Sequence, residues 1–143
     1  MRTRIKPTGV GEAFQGRLTA TQTDLMREAL SALDGWASTD EALVVQLGAD
    51  REEVGRLRDR LKGDHRTSRE FTLTARELHV IHAALTAVAP MFLTSGGFSE
   101  EGFHNRTGFF RENFDAMASS IVSAVSEATA LQVTRPSRPA SRP

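Results

Sequence analysis

The 143-residue chain contains no cysteine, and this absence excludes several kinds of chemistry. Disulfides, thiolate zinc sites and cysteine nucleophiles cannot form without that residue. The chain also lacks tyrosine, which excludes a tyrosine general acid. It has no run of about 18 apolar residues, the length that a membrane-spanning helix needs. No apolar segment follows the basic first residues, so we expect no secretory signal and a cytoplasmic location.

The formal net charge is zero, but the charges are unevenly distributed along the chain. Six basic residues stand in two terminal segments without any acid: Arg2, Arg4, Lys6, Arg135, Arg138 and Arg142. The rest of the chain has 12 basic and 18 acidic residues, a formal charge of −6. An acidic body disfavours nucleic acid, because phosphate contacts need a basic face. It suits a basic protein partner, or it serves solubility alone.

The composition is that of a soluble globular protein with one domain, since 39% of residues are hydrophobic and 25% are charged. Residues 132–143 contain three prolines, three arginines and few apolar side chains. Such a segment cannot bury enough surface to fold. We predict a flexible basic head over residues 1–10, a compact domain over 11–131, and a disordered Arg/Pro tail over 132–143.

The sequence contains two similar segments, which can be seen when residues 43–54 are aligned with residues 103–114. Gly48 then falls on Gly108, and Arg51-Glu52 falls on Arg111-Glu112. An internal repeat determines the architecture before any single motif is considered. The alignment predicts two copies, over about 13–63 and 69–130, which pack about a pseudo-twofold axis.

Each copy is predicted to contain a strand and three helices. Alternating residues indicate short strands over 13–19 and 69–73. Thr19 with Gln22, and Thr74 with Glu77, have the spacing of capping boxes that begin helices. Helices are predicted over 20–33, 39–47, 50–62, 75–89, 99–107 and 110–130, with Gly35 as a stop. The fold class is therefore mostly α, with a small antiparallel two-stranded ribbon covered by helices.

Residues 43–57 have the glycine turn and apolar spacing of a helix-turn-helix, which makes a DNA-binding regulator one alternative function. The helix from Asp50 would enter the major groove. Its first turn carries Asp50, Glu52 and Glu53, which would repel phosphate. A helical hairpin that merely uses a glycine turn explains the same pattern, so nucleic acid is not the partner that we predict.

Histidines give a second alternative, a metal-dependent enzyme. His79 and His82 are three residues apart, and His104 follows Glu101 at the same spacing, as in helical carboxylate metal sites. Few carboxylates stand nearby, and a half-buried histidine is the commoner outcome. The chain has no nucleophile elbow, Walker loop or dinucleotide-binding glycine motif. We therefore predict no metal, no cofactor and no enzyme activity.

Aromatic residues are concentrated in one segment, since six of the eight phenylalanines lie between positions 92 and 114. Phe103 and Phe114 align with apolar residues of the first copy and are predicted to be core. Phe110 aligns with Asp50, which has the features of a solvated helix cap, so Phe110 is predicted at the surface. An exposed aromatic pair, Phe109 and Phe110, flanked by arginines is typical of a protein contact, although these rings could also cover the ribbon or the other copy. The predicted partner-binding residues are Phe98, Arg106, Phe109, Phe110 and Arg111.

One longer pattern resembles a known group of sequences. It runs Phe71-x-Leu73-Thr74-x2-Glu77-x7-Leu85, then Glu101-x-Phe103-His104-x-Arg106-x-Gly108-x2-Arg111-Glu112. It is similar to short, mostly uncharacterised bacterial proteins with a threonine-capped helix followed by an EFHxRxG…RE segment. This chain departs from that pattern in having glycine at position 102. The resemblance implies a compact α-rich unit with Phe103, His104, Arg106 and Gly108 as a structural motif, and it implies no activity.

These observations together favour a non-catalytic protein-binding module. An immunity-protein-like or antitoxin-like inhibitor of a partner protein with a basic surface fits the acidic body and the aromatic segment. Because internal pseudo-symmetry often replaces a homodimer, we expect a monomer or a weak dimer.

Overall fold

The structure, a computed structural model, describes residues 4–7, 13–37, 39–63, 66–93 and 98–133. It is mostly helical, as the sequence predicts, with one small antiparallel sheet. The strands are β1 (Arg4–Pro7), β2 (Ala13–Leu18) and β3 (Arg69–Thr74). The α-helices are α1 (Ala20–Trp36), α2 (Asp40–Leu47), α3 (Arg51–Arg60), α4 (Ala75–Ala87), α5 (Glu100–Thr107) and α6 (Arg111–Val133). A short 3-10 helix, Ala89–Phe92, follows α4.

The predicted antiparallel strand pair is confirmed as β2 and β3. Phe14 lies opposite Leu73, Gly16 opposite Phe71, and Leu18 opposite Arg69. Alternate side chains of β2 are buried, which places its apolar face on the helices. The sheet has a further strand, because β1 pairs with the other edge of β2. Residues 4–7 belong to the head that the sequence indicates to be flexible, and in the structure they form this edge strand.

The predicted helix starts at Thr19 and Thr74 are confirmed by their hydrogen bonds. The Thr19 hydroxyl accepts from the Gln22 amide at 3.2 Å, and Gln22 Oε1 accepts from the Thr19 amide at 2.9 Å. Both corresponding bonds between Thr74 and Glu77 are 3.1 Å long. Each capping box satisfies two backbone donors at a helix start, which fixes where α1 and α4 begin.

Other helix ends depart from the prediction. Helix α1 continues through Gly35 to Trp36, so the predicted stop at Gly35 is wrong. Helix α6 continues to Val133, two residues into the segment that was predicted as a disordered tail. Residues 134–143 of that tail, and residues 1–3 and 8–10 of the head, lie outside the described residues.

The core lies between α1 and α4, which pack against each other beneath the sheet. Their facing side chains are fully buried, among them Leu30, Leu33, Ile81 and Leu85. Helix α3 packs on α1, and α6 packs on α4. The short helix α2 of the first half packs against α4 of the second half. The short helix α5 of the second half packs against α1 of the first. Within the described part of the chain, no helix is both long and apolar enough to cross a membrane.

The short helices α2 and α5 use the same local devices at both ends. The Thr39 hydroxyl accepts from the Ala42 amide, and the Ser99 hydroxyl accepts from the Gly102 amide. Each helix is eight residues long and ends at a left-handed glycine, Gly48 with φ 76° or Gly108 with φ 80°. Glycine is favoured there because side chains with a Cβ atom are strained at positive φ. Both predicted glycine breaks are therefore confirmed.

Candidate functional site

A fully buried ring, Phe103 of α5, organises the aromatic segment. Its centroid lies 5.0 Å from that of Phe92, 5.5 Å from that of Phe98 and 5.2 Å from that of Phe114. Edge-to-face and tilted packing at these distances is favourable for aromatic pairs. Phe103 thus holds three rings in fixed positions, one from the 3-10 helix, one from α6 and one from Phe98, two residues before α5. The prediction that Phe103 and Phe114 are core is confirmed.

Several rings around Phe103 reach the surface. Trp36, at the end of α1, is 47% exposed and stacks on Phe92 with centroids 5.7 Å apart. Phe98 is half-buried, and the guanidinium carbon of Arg111 lies 5.2 Å from its ring centroid. That distance allows a cation–π contact. Arg111 also lies 3.7 Å from Asp115, one turn later in α6.

Phe110 stands between α5 and α6 and is 49% exposed. Its ring stacks on the His104 ring, with centroids 4.5 Å apart and planes at 26°. Its amide donates to Asn113 Oδ1 at 3.0 Å, which satisfies a free donor at the start of α6. The ring is therefore ordered by its neighbours while one side is open to solvent. The prediction that Phe110 lies at the surface is confirmed.

Phe109 points the other way from its neighbour in sequence. It is half-buried against the core, with its ring centroid 6.1 Å from that of Phe114. The buried Thr107 hydroxyl accepts from the Phe109 amide at 3.2 Å and fixes this turn. Arg106, the remaining predicted residue, is exposed on α5. No ion pair to Arg106 is found among the described residues.

We use the name aromatic edge for Trp36, Phe92, Phe98, His104, Phe110 and Arg111. Trp36 and Phe92 were not predicted as site residues. Trp36 follows Leu33 by three positions, so its spacing continues the core stripe of α1 and gives no sign of exposure. The sequence places His104 in the metal-site alternative and in the structural motif of residues 103–108, and neither predicts that its ring supports Phe110. The stacking partners could not be read from the sequence, because they come from different helices.

Exposed acidic side chains outnumber exposed basic ones on α5 and α6, the helices that carry His104 and Arg111 of the aromatic edge. Helices α5 and α6 present four exposed carboxylates within two turns of it, at Glu100, Glu101, Glu112 and Asp115. The exposed arginines of the same segment are Arg106 and Arg111. The local balance is therefore negative, in agreement with the acidic body of the chain. A negative rim favours encounter with a positively charged surface.

The cations of the helix-turn-helix candidate are largely engaged within the protein. Arg51 lies 2.7 Å from Asp34 and 3.2 Å from Asp40, and Arg58 lies 3.0 Å from Asp34. Arg60 forms an ion pair with Glu77 of α4. These pairs hold α3 on α1 and α4. Cations neutralised in this way are poorly placed to contact phosphate, which requires free positive charge on the recognition helix.

The three candidate histidines do not form a common site. His79 and His82 lie on α4 near α6, while His104 stacks on Phe110 of the aromatic edge. Across residues 4–7, 13–37, 39–63, 66–93 and 98–133, no three His, Cys, Asp or Glu side chains are grouped to hold a metal ion. The geometry that the metal-enzyme alternative requires is therefore not found in this part of the chain.

No protein-family model, curated protein or solved structure matches the chain. Its function has to be inferred from its own residues.

Proposed function

We propose that the chain is a non-catalytic protein-binding module that contacts its partner with the aromatic edge. The observation that carries this proposal is the half-exposed Phe110 ring, held in place by stacking on His104. Rigid aromatic side chains contribute large contact areas at low cost in conformational entropy. Trp and Arg are among the residues enriched in binding hot spots, and the edge contains Trp36 and Arg111.

The charge around the edge supports a partner with a basic surface. The carboxylates of α5 and α6 would form a polar rim around the aromatic centre, which is the usual arrangement of a protein interface. A small acidic protein that masks a basic partner has the properties of an immunity protein or an antitoxin.

We further propose that the two halves are tandem repeats related by a pseudo-twofold axis. Thr19 caps α1 and Thr74 caps α4. The shift along the sequence that takes Thr19 to Thr74 also takes Phe14 to Arg69 and Leu18 to Leu73. Under this displacement the pair Phe14–Leu73 exchanges with the pair Leu18–Arg69. A twofold axis through the central pair of β2 and β3 requires such an exchange. The shared helix caps of α2 and α5 support the same interpretation.

The proposal is tested by capturing proteins from a native cell lysate with the immobilised full chain and, in parallel, with its Phe110→Asp variant. We expect a stoichiometric protein partner to bind the natural sequence. The variant should bind at least about thirtyfold more weakly, because loss of a hot-spot residue costs about 2 kcal/mol or more. Its melting temperature should be nearly unchanged, because the ring is half-exposed.

A matched control is Val45→Asp, which places the same charge on an exposed apolar residue of α2. It should retain the partner, since Val45 lies outside the aromatic edge. Equal binding by Phe110→Asp would show that the partner uses another surface. A large fall in its melting temperature would show that Phe110 is needed for folding. Retention of nucleic acid, lost steeply with salt, would instead support the DNA-binding alternative.

A further inference from the structure

A cavity of about 270 Å³ opens between α3 and α4, away from the aromatic edge. Its apolar floor is formed by Ala49, Leu57 and Val80, all of which are buried in the protein core. The volume lies near the lower end of ligand pockets, which span about 300–1,000 Å³. A small ligand would therefore fill it.

The rim of this cavity carries more positive than negative charge. Arg76 lies 3.1 Å from Glu53, and Arg60 forms an ion pair with Glu77, so both carboxylates of the rim are neutralised. Arg56 also lines the cavity, and it is exposed. No hydrogen bond or ion pair engages Arg56 within the described residues. One guanidinium thus remains at the mouth of an apolar cavity, and a guanidinium prefers a carboxylate.

Comparison of two turns indicates the shape that the cavity accommodates. Ala49 follows Gly48 at the end of α2, and Phe109 follows Gly108 at the end of α5. The two glycines have nearly the same backbone angles, so the next side chains leave their turns in a similar way. Phe109 packs its ring against the core, whereas Ala49 lines the cavity with a methyl group. At this turn the first half thus presents only a methyl group beside an open apolar volume, whereas the second half presents an aromatic ring to the core.

We propose that this cavity binds a small aromatic carboxylate, with the ring on Leu57 and Val80 and the carboxylate at Arg56. The comparison of the two turns uses only local backbone geometry, and it stands whether or not the halves are repeats. The proposed site is separate from the aromatic edge. It therefore does not depend on the protein-binding function.

The test uses 3-phenylpropionate as the ligand and 3-phenylpropanamide as its uncharged twin, followed by two-dimensional amide NMR of the full chain. We expect saturable shifts at Ala49, Leu57 and Val80. The carboxylate should bind about two- to fivefold more tightly than the amide, as an exposed ion pair allows. Arg56→Gln should remove this preference and leave binding of the amide unchanged. Ala49→Phe should abolish binding of both compounds by filling the cavity with its own ring.

Two controls separate this site from the rest of the surface. Arg106→Gln removes an exposed arginine on α5 and should keep the preference for the carboxylate. Phe110→Asp should bind both compounds like the natural sequence, even if it has lost its protein partner.

If Ala49→Phe does not fold, the comparison of the two compounds on Arg56→Gln decides the matter, because Arg56 is exposed. No saturation up to about 10 mM, tenfold above a millimolar Kd, would overturn the proposal. Shifts confined to other residues, or equal binding by Arg56→Gln, would overturn it too.

Discussion

Residues at aligned positions of the two halves differ in their chemistry, as the starts of α3 and α6 show. Asp50 begins α3 by accepting from the Glu53 amide at 2.8 Å, which is the usual role of an N-cap carboxylate. At the start of α6 the side-chain acceptor comes instead from Asn113, whose Oδ1 receives the Phe110 amide. The Asn113 amide, which stands where the Glu53 amide stands in α3, donates to the Phe110 carbonyl at 3.0 Å and not to a side chain at position 110. An aromatic ring can stand at this exposed turn without leaving its own amide unsatisfied.

Glu28 of α1 is a residue whose burial opposes its charge. Desolvation raises the pKa of this carboxyl above its ordinary value of 4.5, although Arg27 lowers it and Asp24 raises it further. The folded state therefore holds the proton more tightly than the unfolded state does. The stability that this difference contributes is complete below pH 4.5 and is lost as the pH rises through the folded pKa.

We predict that Glu28→Gln stabilises the protein at pH 7 and has little effect at pH 4, where the natural glutamate is largely protonated in both states. Urea unfolding at the two pH values measures the difference. The matched control is Glu127→Gln on α6, where the glutamate is exposed and no gain from relieved burial is expected. A destabilised Glu28→Gln at pH 7 would show that the charged carboxylate makes a favourable contact in the folded protein.

At the scale of elements, the glycines that end α2 and α5 determine how each chain segment leaves its helix. Both are left-handed, and a Cβ atom at Gly108 would meet no other atom within 4 Å. A substitution there therefore reports backbone strain without a steric clash. Gly55 offers the opposite case, because it lies inside α3, where alanine is the better helix former.

We predict that Gly108→Ala destabilises the protein by roughly 1 kcal/mol, the cost of left-handed backbone for a residue with a Cβ atom. Gly55→Ala should stabilise it by about 0.5–1 kcal/mol. Denaturant midpoints of the two variants and the natural sequence test both signs in one experiment. Equal midpoints for Gly108→Ala and the natural sequence would show that the turn relaxes to another conformation.

Local signals were enough to predict most helix starts, and tertiary contacts decided the rest. Thr19 and Thr74 fix α1 and α4 through bonds that span only three residues. The end of α1 could not be predicted, because Trp36 stacks on Phe92, which is distant in sequence, and helix α1 continues through Gly35 to reach it. The exposure of Phe110 could be predicted from its alignment with a helix cap. Its stacking on His104 could not, since the alignment places no aromatic ring at the matching position of α2.

At the scale of the whole molecule, the two halves are interleaved. Strand β2 pairs with β3, α1 packs on α4, and α2 packs on α4 as well. The first half alone would expose one face of α1, including Leu30, and the second half alone would expose one face of α4, including Leu85. Both leucines are fully buried in the whole protein. A two-stranded pair cannot form within either half, except for the short β1 beside β2 in the first.

We predict that two fragments, residues 1–65 and 66–143, are largely unfolded when separate and form a helical 1:1 complex when mixed. Association would restore the β2–β3 pair and the contact between α1 and α4 together. Circular dichroism of the separate and mixed fragments, with size-exclusion chromatography of the mixture, measures this recovery. Leu85→Asp in the second fragment should prevent it, because a charge would enter a fully buried position, whereas Val122→Asp should not, because Val122 is 52% exposed. A first fragment that folds alone would show that α1, α2 and α3 make a sufficient core without the second half.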